Sequence, residues 1–287
     1  MTVIQGIVLG ILQGIAEFLP ISSSGHLAVV QKLFGLEEVP LLFDIMLHLA
    51  TLLAVVLYFR KKIWQLLCVF ARLIAHRPAP QTSDETDFLC GTEKRGRMTI
   101  LAVILTTAVT GVIGVFTSKL IPDLPIKITC AGFIVTAVLL IVSSVIERKN
   151  TAAKTNAGNS DAKSGGIKWY QAIIIGIMQG IGTLPGISRS GSTIAGSQLC
   201  GVNRAAAGEY SFIVSIPAIL GAFILELKDF AEVGSAVGAA PVIAGCAAAF
   251  AWGYVSLAVL MKIIRKGKLE WFACYLIPAG ILGILFL

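Results

Sequence analysis

Six stretches of the chain, residues 41–59, 98–118, 126–146, 205–225, 236–261 and 271–287, are each close to 20 residues long and almost free of charge. A helix needs about 20 mostly apolar residues to cross the hydrocarbon core of a bilayer. Within lipid only helices and closed barrels satisfy their own backbone hydrogen bonds. The sequence therefore predicts an all-α integral membrane protein with six spanning helices. Composition agrees: 56% of residues are hydrophobic, 14% are charged, and the mean hydropathy is +0.86, well outside the balance of a soluble domain.

Two further apolar segments, 2–19 and 169–184, behave differently. Each runs into a break rich in Pro, Gly and Ser and continues as a short apolar piece, 27–35 or 192–200. This pattern predicts two re-entrant helix pairs, which enter the bilayer and turn back. The first segment lacks the basic start and small-residue cleavage site of a signal peptide, so it is expected to stay in the protein. The six cysteines, at 68, 90, 130, 200, 246 and 274, show no CxxC spacing and sit mostly in apolar runs. They read as small buried hydrophobes, neither metal ligands nor disulfides.

The net charge of +7 does not point to nucleic acid, because seventeen of the 23 Lys and Arg residues fall in three connections, 60–97, 148–168 and 262–268. In the predicted topology these connections share one face, which the positive-inside rule makes cytoplasmic, in contact with anionic membrane lipids. The opposite connections, "GLEEVP" at 35–40 and "ELKDFAEVG" at 226–234, are acid-rich. Both chain termini are then outside, with the first pair entering from the outer side and the second from the cytoplasm.

Residues 147–168, "ERKNTAAKTNAGNSDAKSGGIK", are rich in small polar side chains and predict a mobile cytoplasmic linker. They divide the chain into a first repeat, 1–146, and a second, 169–287. "GILQGIAEFLPISSSGH" (10–26) aligns with "GIMQGIGTLPGISRSGS" (176–192) at a constant offset of 166, matching Gly10/Gly176, Gln13/Gln179, Gly14/Gly180, Ile21/Ile187, Ser22/Ser188, Ser24/Ser190 and Gly25/Gly191. Each half has a re-entrant pair plus three spans, an odd number of crossings, so the halves are expected to be inverted relative to one another. Such repeats place their functional site near the midplane, where the broken helices meet.

The duplicated loops differ in chemistry: Glu17 faces Thr183, Ser23 faces Arg189, and His26 faces Ser192. Ionisable groups at membrane depth are costly and imply function by default. "SSSG" and "SRSGST" each precede a short helix, whose positive end and free N–H groups suit a phosphate. Ser22, Ser24, Gly25, Ser188, Ser190, Gly191, Ser192 and Thr193 are the expected phosphate-binding positions, with Arg189 as a bidentate donor. Ser22, Ser24, Ser188 and Ser190 also suit plain helix capping. Ser23 becomes the candidate nucleophile if Glu17 or His26 takes its proton, and spacing does not choose between them. Gln13 lies one turn before Glu17, and that face suits a divalent cation held through oxygen. Asp44 and His48, one turn apart at the start of a span, either line the mouth of the site or serve the structure.

The stretches "QGIAEFLPISSSGH" and "LPGISRSGSTI", with the duplication that relates them, resemble the bacterial undecaprenyl-diphosphate phosphatase family of the bacitracin-resistance type. The similarity extends over nearly the whole chain. It implies an inverted-repeat membrane phosphatase, acting on undecaprenyl diphosphate with its site open to the outer face and regenerating the lipid carrier of wall polymers. It also implies a divalent cation, Mg or Ca. The family's glutamate motif maps to Gln13 and Glu17, its serine–histidine motif to Ser22, Ser23, Ser24 and His26, and its essential arginine to Arg189. Many members carry Glu where this chain has Gln13; an amide offers an oxygen but no charge.

Two other functions fit parts of the pattern. A transporter or flippase of an anionic prenyl lipid suits the inverted repeat, but transport does not require Ser23 beside a base. A phosphatidic-acid-type phosphatase would share "SGH" but needs a second histidine after an "SR" motif, and neither His48 nor His76 follows one. Small-residue faces such as "GIVLG" would allow close helix packing and a homodimer.

Overall fold

The computed structural model describes residues 1–36, 41–77, 87–120, 124–156, 165–226 and 238–287. The acid-rich connections expected on the outer face fall largely outside these residues, as does the middle of the linker. Among the described residues every regular element is a helix and there is no strand. The helices are α1 (Val3–Phe18), α2 (Ser23–Leu33), α3 (Leu41–Tyr58), α4 (Arg60–Ile74), α5 (Glu93–Leu120), α6 (Ile126–Asn156), α7 (Trp169–Ile181), α8 (Arg189–Leu199), α9 (Arg204–Glu226), α10 (Ala239–Lys266) and α11 (Ala273–Phe286).

Among the described residues five helical stretches, α5, α6, α9, α10 and the one ending in α11, are long and apolar enough to cross a membrane. A sixth span arises if α3 and α4 are counted together, though they are bent by 79° at their junction. The chain is thus a multi-pass helical membrane protein. Helix α4 is an addition to what the sequence suggested, since its residues read there as part of a basic connection. Helix α6 also runs further than the apolar span of 126–146, continuing to Asn156 through the first part of the linker. Its extension is tied down by ion pairs from Glu147 to Arg204 and from Arg148 to Glu270.

The duplication is written into the helix ends. Thr2 caps α1 by accepting from the Gln5 N–H, while Gln5 Oε1 accepts from the Thr2 N–H at 2.8 Å. In the second copy Gln171 Oε1 likewise accepts from the Lys168 N–H at 2.8 Å. Ser22 caps α2 through the Gly25 N–H, and Ser188 caps α8 through the Gly191 N–H. Both cap pairs match at the offset of 166. Pro20 and Pro185 stand in the breaks, where a ring without an N–H cannot continue a helix.

Helix packing crosses between the halves. Helix α1 lies along α10, and α7 lies along α5. At Gly6, Gly10 and Gly14 the backbone of α10 at Pro241, Gly245 and Ala249 occupies the space a Cβ would need. In lipid there is no hydrophobic drive between helices, so close approach of small residues supplies the dispersion contact instead. Matching residues ascend together, which makes α1 and α10 parallel. The "GIVLG" face that suggested a dimer is therefore consumed within one chain. Thr106 and Thr110 of α5 donate to the carbonyls of Ala172 and Gly176, at 2.9 and 3.2 Å, and fix α7 in the same sense. Beneath the two breaks a core of Phe18, Ile21, Phe133, Leu140, Ile194, Phe212 and Leu257 joins both halves, with the Phe18 and Phe212 rings edge to face at 5.7 Å.

Candidate active site

The two breaks meet. Pro20 of the first approaches Gly191 at the head of α8, and the Arg189 guanidinium forms an ion pair with Glu17 Oε1. Glu17 closes α1 with its side chain only 4% exposed, and its polar contacts come from four helices. Its other oxygen, Oε2, accepts the Ser23 hydroxyl at 2.7 Å and Gln13 Nε2 at 3.1 Å. His48 Nε2 stands 3.6 Å from the same oxygen. Side chains from α1, α2, α3 and α8 thus converge on one carboxylate. A buried carboxylate without such partners would be strongly unfavourable.

Ser23 and Arg189 are each the first residue of a helix, so the positive ends of α2 and α8 both open at this point. Ser22 holds a left-handed backbone, φ 70°, unusual for a residue with a side chain. Ser22 and Ser188 are buried caps, and each approaches the hydroxyl two residues on, Ser24 at 3.4 Å and Ser190 at 3.2 Å. Ser24 itself is exposed. Gly25 is required by space, since a Cβ there would meet the Phe133 ring and Gly186. Gly191 supplies the N–H that Ser188 binds. Thr193 is taken up by the carbonyls of Arg189 and Ser190 and by the Ser211 hydroxyl of α9. The buried Ser192 hydroxyl and Gln13 Oε1 have no hydrogen-bond partner among the described residues.

His26 is buried, and its two ring nitrogens are both engaged: Nδ1 with the Ser22 carbonyl at 2.8 Å and Nε2 with the Tyr275 hydroxyl at 2.7 Å. Neither of these bonds reaches Ser23. Of the Asp44–His48 pair, His48 turns its Nε2 to Glu17, while Asp44 accepts from Gln31 at 3.1 Å. Sequence reasoning missed Tyr275, and also Thr136, whose hydroxyl accepts the Ser188 N–H at 3.0 Å. Neither stands out in its own apolar helix.

The family model described as "Bacitracin resistance protein BacA" matches residues 6–282. This chain belongs to that family. Among BacA-type relatives, an undecaprenyl-diphosphatase of Treponema denticola is 46% identical over 98% of this chain and 96% of its own length. An undecaprenyl-diphosphatase of Alkaliphilus metalliredigens is 39% identical, covering 100% of this chain and 99% of that protein. One from Methanosphaera stadtmanae is 37% identical over 99% and 97%. The BacA match spans both breaks, so Glu17, Ser23 and Arg189 all lie inside it.

Proposed function

We infer that this chain is an undecaprenyl-diphosphate phosphatase, which removes the terminal phosphate of the polyprenyl carrier to give undecaprenyl phosphate and Pi. The observation that carries the chemistry is a serine hydroxyl donating to a buried carboxylate that an arginine from the other break also holds. A nucleophile, a proton acceptor and an oxyanion clamp thus lie within reach of one another.

A diphosphate entering between the heads of α2 and α8 competes with Glu17 for the Arg189 guanidinium and meets the positive ends of both helices, whose Gly25 and Gly191 N–H groups stay with the Ser22 and Ser188 caps. Ser23 Oγ attacks the distal phosphorus, its proton passes to Glu17, and the bridging P–O bond breaks to release the prenyl monophosphate. Water then cleaves the Oγ–P bond, giving Pi and restoring the hydroxyl. The residues present fit a divalent cation, Mg or Ca: the orphaned Gln13 Oε1 adjoins the Glu17 carboxylate, and hard cations take oxygen donors. Among the described residues no group of three or more His, Cys, Asp and Glu stands ready for a metal, so phosphate oxygens would complete such a set. When bound, a cation of this kind spreads the charge of the diphosphate and eases departure of the leaving group.

The same reading makes the fold an inverted repeat with two re-entrant pairs and an outward-opening site. Gln171 at the start of α7 donates to the Cys200 carbonyl just after α8, which brings the ends of the second hairpin together. Lys32 near the end of α2 bonds the Leu287 carbonyl, while α1 starts beside the start of α10. With 262–268 cytoplasmic, both ends of the first hairpin then face outward in the plasma membrane.

The test is Pi release from undecaprenyl diphosphate in detergent, with and without chelator. Activity that Ser23→Ala and Arg189→Ala each lower by at least about 10³-fold is the expected result. Full activity in Ser23→Ala would remove the nucleophile. An inactive parent that still moves a prenyl lipid between leaflets would favour the transport reading.

A further inference from the structure

We propose that Tyr275 is a positioning residue for this reaction: through His26 it braces the strained turn that aims Ser23 at Glu17. The inference rests on Ser23 being the nucleophile. A carbonyl oxygen only accepts, so the 2.8 Å contact between His26 Nδ1 and the Ser22 carbonyl puts a proton on Nδ1. Nε2 of the neutral ring is then the acceptor for the Tyr275 hydroxyl at 2.7 Å. The ring is also clamped, with Phe133 of α6 stacked at 4.7 Å and Tyr275 of α11 at 5.6 Å. The carbonyl that His26 grips belongs to Ser22, the residue at φ 70°.

A backbone in that region persists only where its surroundings over-determine it. Here the surroundings are the Ser22 cap on the Gly25 N–H and the His26 backbone N–H on the Ser22 carbonyl, to which are added the imidazole and, behind it, a tyrosine 249 positions further along the chain. Released from this brace, Ser22 returns to ordinary backbone angles and the Ser23 hydroxyl leaves its 2.7 Å contact with Glu17. His26 has no nitrogen left for Ser23, so the geometry gives it a bracing role and leaves proton transfer to Glu17. The sequence could not separate these roles.

The chain has three histidines, His26, His48 and His76, which makes ring-¹⁵N spectroscopy of the full-length protein practical. In the parent, the His26 signals, assigned by their loss in His26→Gln, should show a protonated Nδ1 and an unprotonated, hydrogen-bonded Nε2. Tyr275→Phe, which keeps the ring and deletes the hydroxyl, should move the Nε2 signal and lower kcat about tenfold with KM unchanged. Glutamine at 26 offers an N–H to Ser22 and an oxygen to Tyr275, but it does not titrate near neutrality. His26→Gln should therefore retain a sizeable part of the activity and the parent pH profile, where His26→Ala loses on the order of 10²-fold.

A proton on Nε2 in place of Nδ1, full kcat in Tyr275→Phe, or a limb of the pH profile that vanishes in His26→Gln would each overturn the proposal. Ser23→Ala separates the two levels. If that variant stays active, the nucleophile assignment fails whatever Tyr275 does; if it is inactive, the Tyr275 and His26 results judge the brace alone.

Discussion

Glu17 is held from both sides of the repeat, by Ser23 and Gln13 of its own half and by Arg189 of the other. In the proposed reaction Arg189 has to do two things: neutralise that carboxylate at rest, as it does in the structure, and grip a phosphate. A planar fork does both, whereas an ammonium is a point charge with no fixed second donor. Arg189→Lys should therefore fold, keeping a cation at the head of α8, yet lose about 10²-fold in kcat/KM for Pi release. Arg189→Ala should lose more. Equal activity in the Arg189→Lys variant and the parent would reduce the guanidinium to a mere counter-charge. These residues were readable from the sequence because charge at membrane depth is costly and the duplication showed which positions had diverged. Tyr275 was not, because a tyrosine in a final apolar segment looks like any other interfacial aromatic until the fold brings it to His26.

At the scale of elements, α4 shows where hydropathy alone runs short. Fifteen residues are too few to span, and Arg60, Lys61 and Lys62 marked it as a connection. Folded, it has three sides. Lys62, Leu66 and Val69 face the protein, with Lys62 bonded to Asp87 at 2.9 Å and Glu209 at 2.5 Å. Trp64, Leu67, Phe70 and Ile74 are exposed and apolar, at a spacing that keeps them on one stripe. Lys61 and Gln65 lie on a third, polar side. With the 79° turn from α3, this is the build of a helix lying in the plane of the bilayer interface. Trp64 is one of four tryptophans. In a variant whose other three are Phe, its fluorescence should be quenched by lipids brominated high on the acyl chain and little by aqueous acrylamide. The reverse pattern would put α4 in water.

Across the whole molecule, the most extensive helix pairings join one half to the other. Helix α1 rests its glycines on α10, α7 takes hydrogen bonds from α5, α3 packs on α10 and α9 on α5. The glycine spacing in α1 announced a close helix neighbour but not which helix, because a small-residue face is equally suited to a second copy of the chain. Sequence periodicity reports which face is packed and is silent about its partner. If the pairing is reciprocal, a chain cut within 157–164 should still assemble, since α6 and α7 need only be near one another and not joined. Residues 1–156 and 165–287, expressed together, should copurify and release Pi from undecaprenyl diphosphate. Expressed singly, each should be unstable, as its first hairpin helix has no groove to lie in. Glu17 would also lack Arg189 in one fragment, and Ser23 would be absent from the other. Activity in the 1–156 fragment alone would show that the second half is dispensable and would undo both the cross-half packing argument and the shared site built on it.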